Sequence, residues 1–294
     1  MGTPLSASSL AAATLAVLYP EVPAPYKQVF EQIITGIERQ HDQRLLKLPL
    51  KKQFDHDSVL SNLQSQQVDM VITLGRRSFA LTKELAALYP FVSGALPLAP
   101  NGISGVSLIA DPNTLFTQLQ TLAPLTERIF VLYTQKNRWL IALAKIAARE
   151  KNLQLVTFEV SGLAAAVDRY EDILAVADSR IDAIWLPLDS VTANEKVVLP
   201  VVLKKAWSNK LVVFSSKPSH ARRGALFSMY PNNEASGVRL AQMVQEMQRS
   251  QSKAGVEPIR SLKVGVNLRT AAHLGLEYSQ NQKKTFYAVF PSDR

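Results

Sequence analysis

No cysteine occurs anywhere in the 294 residues. That excludes disulfides, thiolate-bound zinc, a thiol nucleophile and a lipid-bearing cysteine within this sequence. It leaves the compartment open, because a cysteine-free chain suits either redox environment. Long apolar runs are missing too, and nothing approaches the ~20 residues that cross a bilayer. The nearest stretch, residues 10–19 (LAAATLAVLY), resembles a short signal core without a basic segment before it. The expectation is a mature domain whose export signal, if any, has been removed. Basic runs are also absent. The formal net charge is +9, but the cations fall in short pairs such as Lys51-Lys52, Arg76-Arg77 and Lys283-Lys284. With no reading motif beside them, no nucleic-acid partner is expected.

Catalytic signatures are equally scarce. The sequence holds no G-x-S-x-G elbow, no phosphate loop ending in G-K-[ST] and no H-E-x-x-H. Its four histidines are scattered. The string Asp55-His56-Asp57 has the look of a metal motif, yet it precedes a helical pattern and reads better as N-capping by Asp57. The sequence therefore points to binding rather than catalysis, with no catalytic residue, no cofactor and no metal site.

What is present is an apolar content of 47% against 19% charged residues, the balance of a globular chain long enough for two cores. Short apolar runs recur at residues 14–19, 44–50, 69–74, 91–96 and 104–109. A second set follows at 128–133, 154–160, 182–188, 211–215 and 225–229, with a late one at 263–268. Continuous rather than alternating apolar runs are expected of strands covered on both faces. Amphipathic stretches lie between them, including 26–39, 137–151, 163–177 and 234–249. This alternation predicts an α/β fold with parallel sheets and right-handed crossovers. Asp111-Pro112 reads as an N-cap followed by a first-turn proline. Residues 250–261, rich in Ser, Gly and Pro, read as a linker, and the TFYAVF stretch of the tail reads as an extra strand or strap on the second half, with an intermolecular contact as the alternative.

Several segments resemble the TrpX-like ABC-transporter substrate-binding family. They are VDMVITLG (68–75), NGISGVSL (101–108), LAPLTERIFVLYTQKN (122–137), IDAIWLPLDS (181–190), RRGALFSMYPNNEASGVRLAQMV (222–244) and VGVNLRTAAHLGL (264–276). The resemblance implies a type I periplasmic binding protein fold: two Rossmann-like doubly wound lobes joined by three crossover segments, with a ligand cleft between them. Lobe 1 would hold 1–110 plus 231–260, and lobe 2 would hold 111–230 plus 261–294. It also implies a periplasmic location, a small polar or anionic solute and a membrane permease as partner. The alternative is a ligand-sensing or adaptor protein of the same fold that signals to a membrane receptor, and a monomer is expected in either case.

Some positions depart from the family pattern. A Thr or Ser with Pro usually follows the third strand, where this chain has Gly75-Arg76-Arg77-Ser78. An Asp-Pro pair often follows the fourth, replaced here by Ser93-Gly94-Ala95-Leu96-Pro97. Asn-Ser often follows the sixth, whereas Asn137 precedes Arg138 and Trp139; Leu-Asp-Ser after the eighth is retained.

In open α/β sheets ligands bind outside the carboxyl ends of the strands. The residues expected to line the cleft are therefore Tyr19, Arg76, Arg77, Ser78 and Ser93 from the first half, and Gln135, Asn137, Trp139, Asp189, Ser190, Ser216 and Tyr230 from the second. Ser78 and nearby amides suit a carboxylate or phosphate, and an arginine fork suits an anion. Asp189 suits an ammonium or hydroxyl; its plainer alternative is an N-cap or an ion pair with Lys217 or Arg222. Trp139 and Tyr19 could stack on a ring or simply pack. The segment His220-Ala221-Arg222-Arg223 reads as a basic loop, either closing over an anion or exposed.

Overall fold

The computed structural model describes residues 13–41 and 44–292. Residues 10–12 of the first apolar run lie outside it. In chain order the elements are β1 (Leu15–Pro20), α1 (Tyr26–Gln40), β2 (Leu45–Leu50), α2 (His56–Ser65), β3 (Met70–Leu74), α3 (Gly75–Phe79), α4 (Thr82–Leu88), β4 (Phe91–Gly94) and β5 (Gly105–Ala110). There follow α5 (Pro112–Leu122), β6 (Arg128–Tyr133), α6 (Arg138–Glu150), β7 (Gln154–Glu159), α7 (Leu163–Val176), β8 (Asp182–Leu186), α8 (Val198–Ser208), β9 (Val212–Ser215), α9 (Ser219–Arg223) and β10 (Phe227–Pro231). The chain ends with α10 (Asn233–Ser250), β11 (Val256–Ile259), β12 (Leu262–Asn267), α11 (Leu268–His273), α12 (Gln280–Thr285) and β13 (Ala288–Phe290).

Two compact units result. One comprises the described part of Met1–Ser107 with Asn233–Glu257; the other comprises Leu108–Asn232 with the described part of Pro258–Arg294. The chain passes between them three times.

The first unit is built on a six-stranded sheet of order β11-β5-β4-β3-β1-β2. β1 pairs in parallel with β2 (Leu15 opposite Leu45) and with β3 (Leu15 opposite Met70). All five residues of β3 are buried, because helices cover both faces. On one face α1 presents Ile33, Ile34 and Ile37, and packs on α10, which also lies on β3 and β4. Glycine makes this crossing possible. A Cβ at Gly36 would stand 1.9 Å from the Glu234 carbonyl oxygen, and one at Gly237 would stand 1.9 Å from that of Ile33. On the other face Ala16, Leu18 and Val71 meet Leu63, Leu81 and Leu85 from α2, α4 and the turn before α4.

The second unit has a seven-stranded sheet of order β13-β12-β10-β9-β8-β6-β7. Alternate strand residues feed two cores. Val131, Trp185, Phe214 and Phe227 join Phe116, Leu119 and Leu140 on one side. Leu132, Ile184, Leu186 and Val213 join Tyr170, Ile173 and Val202 on the other. Phe116 meets Trp185 edge-on at 5.5 Å, and Phe214 stacks on Phe227 at 5.2 Å. Each such aromatic contact contributes about 0.5–1.5 kcal/mol beyond its burial.

Four expectations need correction. β12 runs antiparallel to β10: the chain leaves the second unit after β10 and returns beside the same strand end, where Asn232 N–H donates to Ser261 O, so no crossover helix reverses its direction. Within the expected linker, β11 adds to the edge of the first sheet. Its Pro258 suits an edge, where an N–H can be lost without breaking a ladder. β8 stops at Leu186 rather than residue 188, at Pro187. The N-cap of α2 is Asp55, which accepts from Ser58 N–H at 2.8 Å, while Asp57 sits in the first turn. By contrast, Asp111 caps α5 as expected, accepting from Thr114 N–H at 3.0 Å, and β13 falls within the TFYAVF stretch.

Candidate functional site

Sheet order decides where the loops converge. In the first unit β1 lies between β2 and β3, and in the second β6 lies between β7 and β8. Connections leave the sheet in opposite directions at these points, which opens a crevice outside the strand ends. The sequence places Tyr19 to Glu21 and Gly75 to Ser78 at the first switch point. It places Thr134 to Asn137 and Asp189 to Thr192 at the second.

At the first switch point β3 passes straight into α3. Gly75 makes the turn at φ +76°, and an added Cβ would meet the Phe30 ring at 3.3 Å. Arg77 turns sideways and its guanidinium donates to the Leu50 carbonyl (2.5 Å) and the Glu21 carbonyl (3.1 Å). It thus ties the ends of β1 and β2 together. The Ser78 hydroxyl donates back to Leu74 O at 2.7 Å and is buried, so the expectation that it faces an anion is corrected: the short helix needs it as an internal link. Ser93 is buried and shares a 2.7 Å hydroxyl contact with Thr73. Tyr19 is half-buried and Arg76 exposed.

At the second switch point Asp189 is a knot. Its Oδ2 accepts from Thr134 N–H (3.0 Å), Thr134 Oγ1–H (2.7 Å) and Asn137 Nδ2–H (2.8 Å). Its Oδ1 accepts from the backbone N–H groups of Val191 (2.9 Å) and Thr192 (3.1 Å). Burial pushes the carboxyl's pKa up, but the hydrogen bonds from Thr134, Val191 and Thr192 outweigh it and hold the group below its ordinary value. Five internal donors make Asp189 the organiser of two loops. Neither Lys217 nor Arg222 pairs with it, and the turn-capping alternative describes its Oδ1. Asn137 is buried in the same knot, whereas Gln135 and Ser190 are exposed.

The remaining expected residues divide in the same way. Trp139 packs half-buried against the larger core, and its indole nitrogen has no partner among the described residues. Ser216 is buried and accepts from the Trp185 indole N–H at 3.0 Å. Tyr230 is half-buried, 5.3 Å from Tyr287, and Lys263 lies over the Tyr287 ring at 4.8 Å.

The basic segment at 220–223 is helical rather than a loop; Arg222 and Arg223 are exposed, but His220 is not. It forms α9 with His220 wholly buried. Glu195 draws it inward: its carboxylate accepts from Ser219 Oγ at 2.6 Å and pairs with Lys217 at 3.0 Å. Arg223 donates to the Glu195 carbonyl at 3.0 Å. Hydrogen bonds from Ser219 and Lys217 hold the Glu195 carboxyl down to about 2, and burial, helped by the Lys217 charge, brings His220 down to about 4.

Ser215, His220 and Glu195 superficially resemble a hydrolase triad, with His220 Nδ1 2.8 Å from Ser215 Oγ and Nε2 3.6 Å from Glu195. Yet Ser215 is buried, donates its proton to Leu186 O at 3.0 Å and accepts from Lys217 N–H at 3.0 Å. Buried and held by the backbone on two sides, Ser215 joins His220 and Glu195 in bracing the end of β9. Among the described residues no group of three metal-ligating side chains comes together. Glu195 carried no periodic or motif signal in the sequence, which is why its role was missed.

A sequence profile described as ABC transporter substrate binding protein matches residues 97–287. No curated protein matches the chain in sequence. Among solved structures, a ligand-free, open substrate-binding protein with adhesive properties from Clostridium difficile is 16% identical, with TM-score 0.65, covering 96% of this chain and 100% of its own. An ABC domain in complex with L-Trp from Streptococcus pneumonia is 17% identical, with TM-score 0.54, covering 95% and 99%. A periplasmic ribose ABC transporter protein from Conexibacter woesei is 14% identical, with TM-score 0.51, covering 87% and 93%. At these identities the likeness concerns the fold: two Rossmann-like lobes of the type I periplasmic binding protein kind.

Proposed function

Because the chain belongs to the ABC transporter substrate-binding protein family, we propose that it captures a small polar or anionic solute outside the cytoplasm and delivers it to a membrane permease. The ligand contacts are assigned to the strand carboxyl ends of both units, with capture by hinge closure. A ligand stabilises the closed state only through its greater affinity for that state.

One observation carries this reading. Both switch points carry loops already fastened from within, by Arg77 in one unit and by Asp189 in the other. Loops held in shape before a ligand arrives lose less entropy on binding. Of the residues expected to line the cleft, Tyr19, Arg76, Gln135 and Ser190 are left at these edges, beside exposed Glu21 and Lys136; Arg76 suits a carboxylate or phosphate. In this reading Arg76 contacts the ligand, while Arg77, Ser78, Asn137 and Asp189 position the loops around it.

A thermal-shift screen over amino acids (L-tryptophan included), organic acids, nucleosides and phosphates tests the proposal. A ligand present at 100 times its Kd adds about 2.7 kcal/mol of stability, enough to move a melting point. The expected result is an upward shift with one anionic class that Arg76→Ala reduces at least tenfold in affinity. A flat screen, or a ligand indifferent to Arg76→Ala, contradicts the assignment.

A further inference from the structure

A pocket lies at the opposite end of the first sheet from the loops described above. It has a volume of about 250 Å³ and is lined by Thr82, Lys83, Ala86, Tyr89, Phe91, Gly102, Ile103, Ser104, Met247 and Lys253. Phe91 opens β4 and Ser104 immediately precedes β5, so the pocket sits at the strands' amino ends. All its walls belong to the first unit.

Its chemistry has two parts. Ala86, Phe91, Ile103 and Met247 give an apolar interior, whereas two ammonium groups, Lys83 and Lys253, are exposed and form no ion pair among the described residues. Glu84, the carboxylate next to Lys83 in sequence, is turned to His56 at 3.1 Å. Ser104 also lines the pocket. It is 2% exposed, and its oxygen accepts from Ala254 N–H (3.0 Å) and Gly255 N–H (3.1 Å). The volume falls below the ~300–1,000 Å³ of sites for drug-sized molecules, which favours a smaller occupant.

We propose that this pocket binds a small monocarboxylate with an apolar body, of medium-chain fatty-acid or arylalkanoate size. The hydrocarbon lies against Phe91, Ile103 and Met247, and the carboxylate accepts from the lysines. A neutral molecule of the same shape loses the charge-assisted bonds, and a dianion brings a second charge to an apolar wall. The site is separate from the solute edge, so it can be occupied whether or not a transported ligand is bound.

Calorimetric titration of the whole chain with sodium octanoate tests this, with octanamide as the uncharged counterpart. The expected result is saturable one-site binding of octanoate, with octanamide about tenfold weaker or worse. Ala86→Trp fills the pocket and abolishes the binding; Lys83→Met with Lys253→Met weakens it about tenfold, while Arg76→Ala leaves it unchanged. Melting curves of each variant establish that it folds. Non-saturating uptake, equal affinity for octanamide, or binding that survives both Ala86→Trp and the double lysine substitution in folded protein overturns the proposal.

Discussion

Replacing Asp189 with alanine removes the acceptor for five donors at once. Three of them come from the loop after β6 and two from the loop after β8. Donors that can reach water recover their hydrogen bonds, and Thr134 and Val191 are half-buried. Asn137 and Thr192 are buried and cannot do so without movement. A buried donor left without an acceptor costs about 1–3 kcal/mol, so the pair sets an expected loss of about 2–6 kcal/mol. Asp189→Asn keeps one acceptor oxygen but turns its amide toward the donors of the other side, and falls between. All three tryptophans, Trp139, Trp185 and Trp207, belong to the second unit. Their fluorescence during urea unfolding therefore reports that unit alone, avoiding the ambiguity of a two-unit transition. The variant is expected to fold and to unfold at a lower urea concentration with an unchanged slope. A loss below about 0.5 kcal/mol would mean that the knot contributes no more than an ordinary surface residue, and the reasoning would be refuted.

Acid should destabilise the second unit in a defined window. His220 has its pKa lowered to about 4 in the folded chain against an ordinary 6.5, so between these values the unfolded chain binds a proton that the folded one refuses. This stability is complete above pH 6.5 and lost as pH falls toward 4, by about 2 kcal/mol between pH 7 and 4.5; tryptophan-monitored urea midpoints that stay level over this range contradict it. The opposing carboxyl, Glu195, is held at about 2 in the folded chain against an ordinary 4.5, so its own contribution is lost only below about pH 4.5 and adds at the acid end of this window. Gly237→Ala should destabilise the first unit by about 1–3 kcal/mol through overpacking, although alanine is the better helix former by about 1 kcal/mol. Faster amide exchange in α1 and α10 checks it, and a stabilised variant would show that the two backbones do not meet as closely as described.

Much of the scaffold was legible because burial on both faces writes itself as short apolar runs. β6 spans the same residues in the sequence reading and in the structure, and VITL, flanked by Met70 and Gly75, could hardly be anything but an inner strand. β11 was illegible because an edge strand with a proline and a glutamate carries no such pattern. The antiparallel β12 was hidden for another reason: strand direction depends on where the chain returns, which no local composition records. At the site, the sequence located the loops through the sheet's strand ends but could not tell an outward side chain from an inward one. Arg76 and Arg77 are adjacent and chemically equal, yet one is exposed and the other fastens Leu50 and Glu21. His220 looked solvent-facing among basic neighbours, and only Glu195, distant in sequence, explains its burial.

The central claim is that one solute is held by strand ends of both units. Hydrogen exchange of the whole chain, with and without the ligand found by the thermal screen, tests it most directly. The account predicts slowed exchange in the loops after β1 and β3 and, at the same ligand concentration, in those after β6 and β8. Protection confined to one unit, or lying away from all four loops, contradicts it.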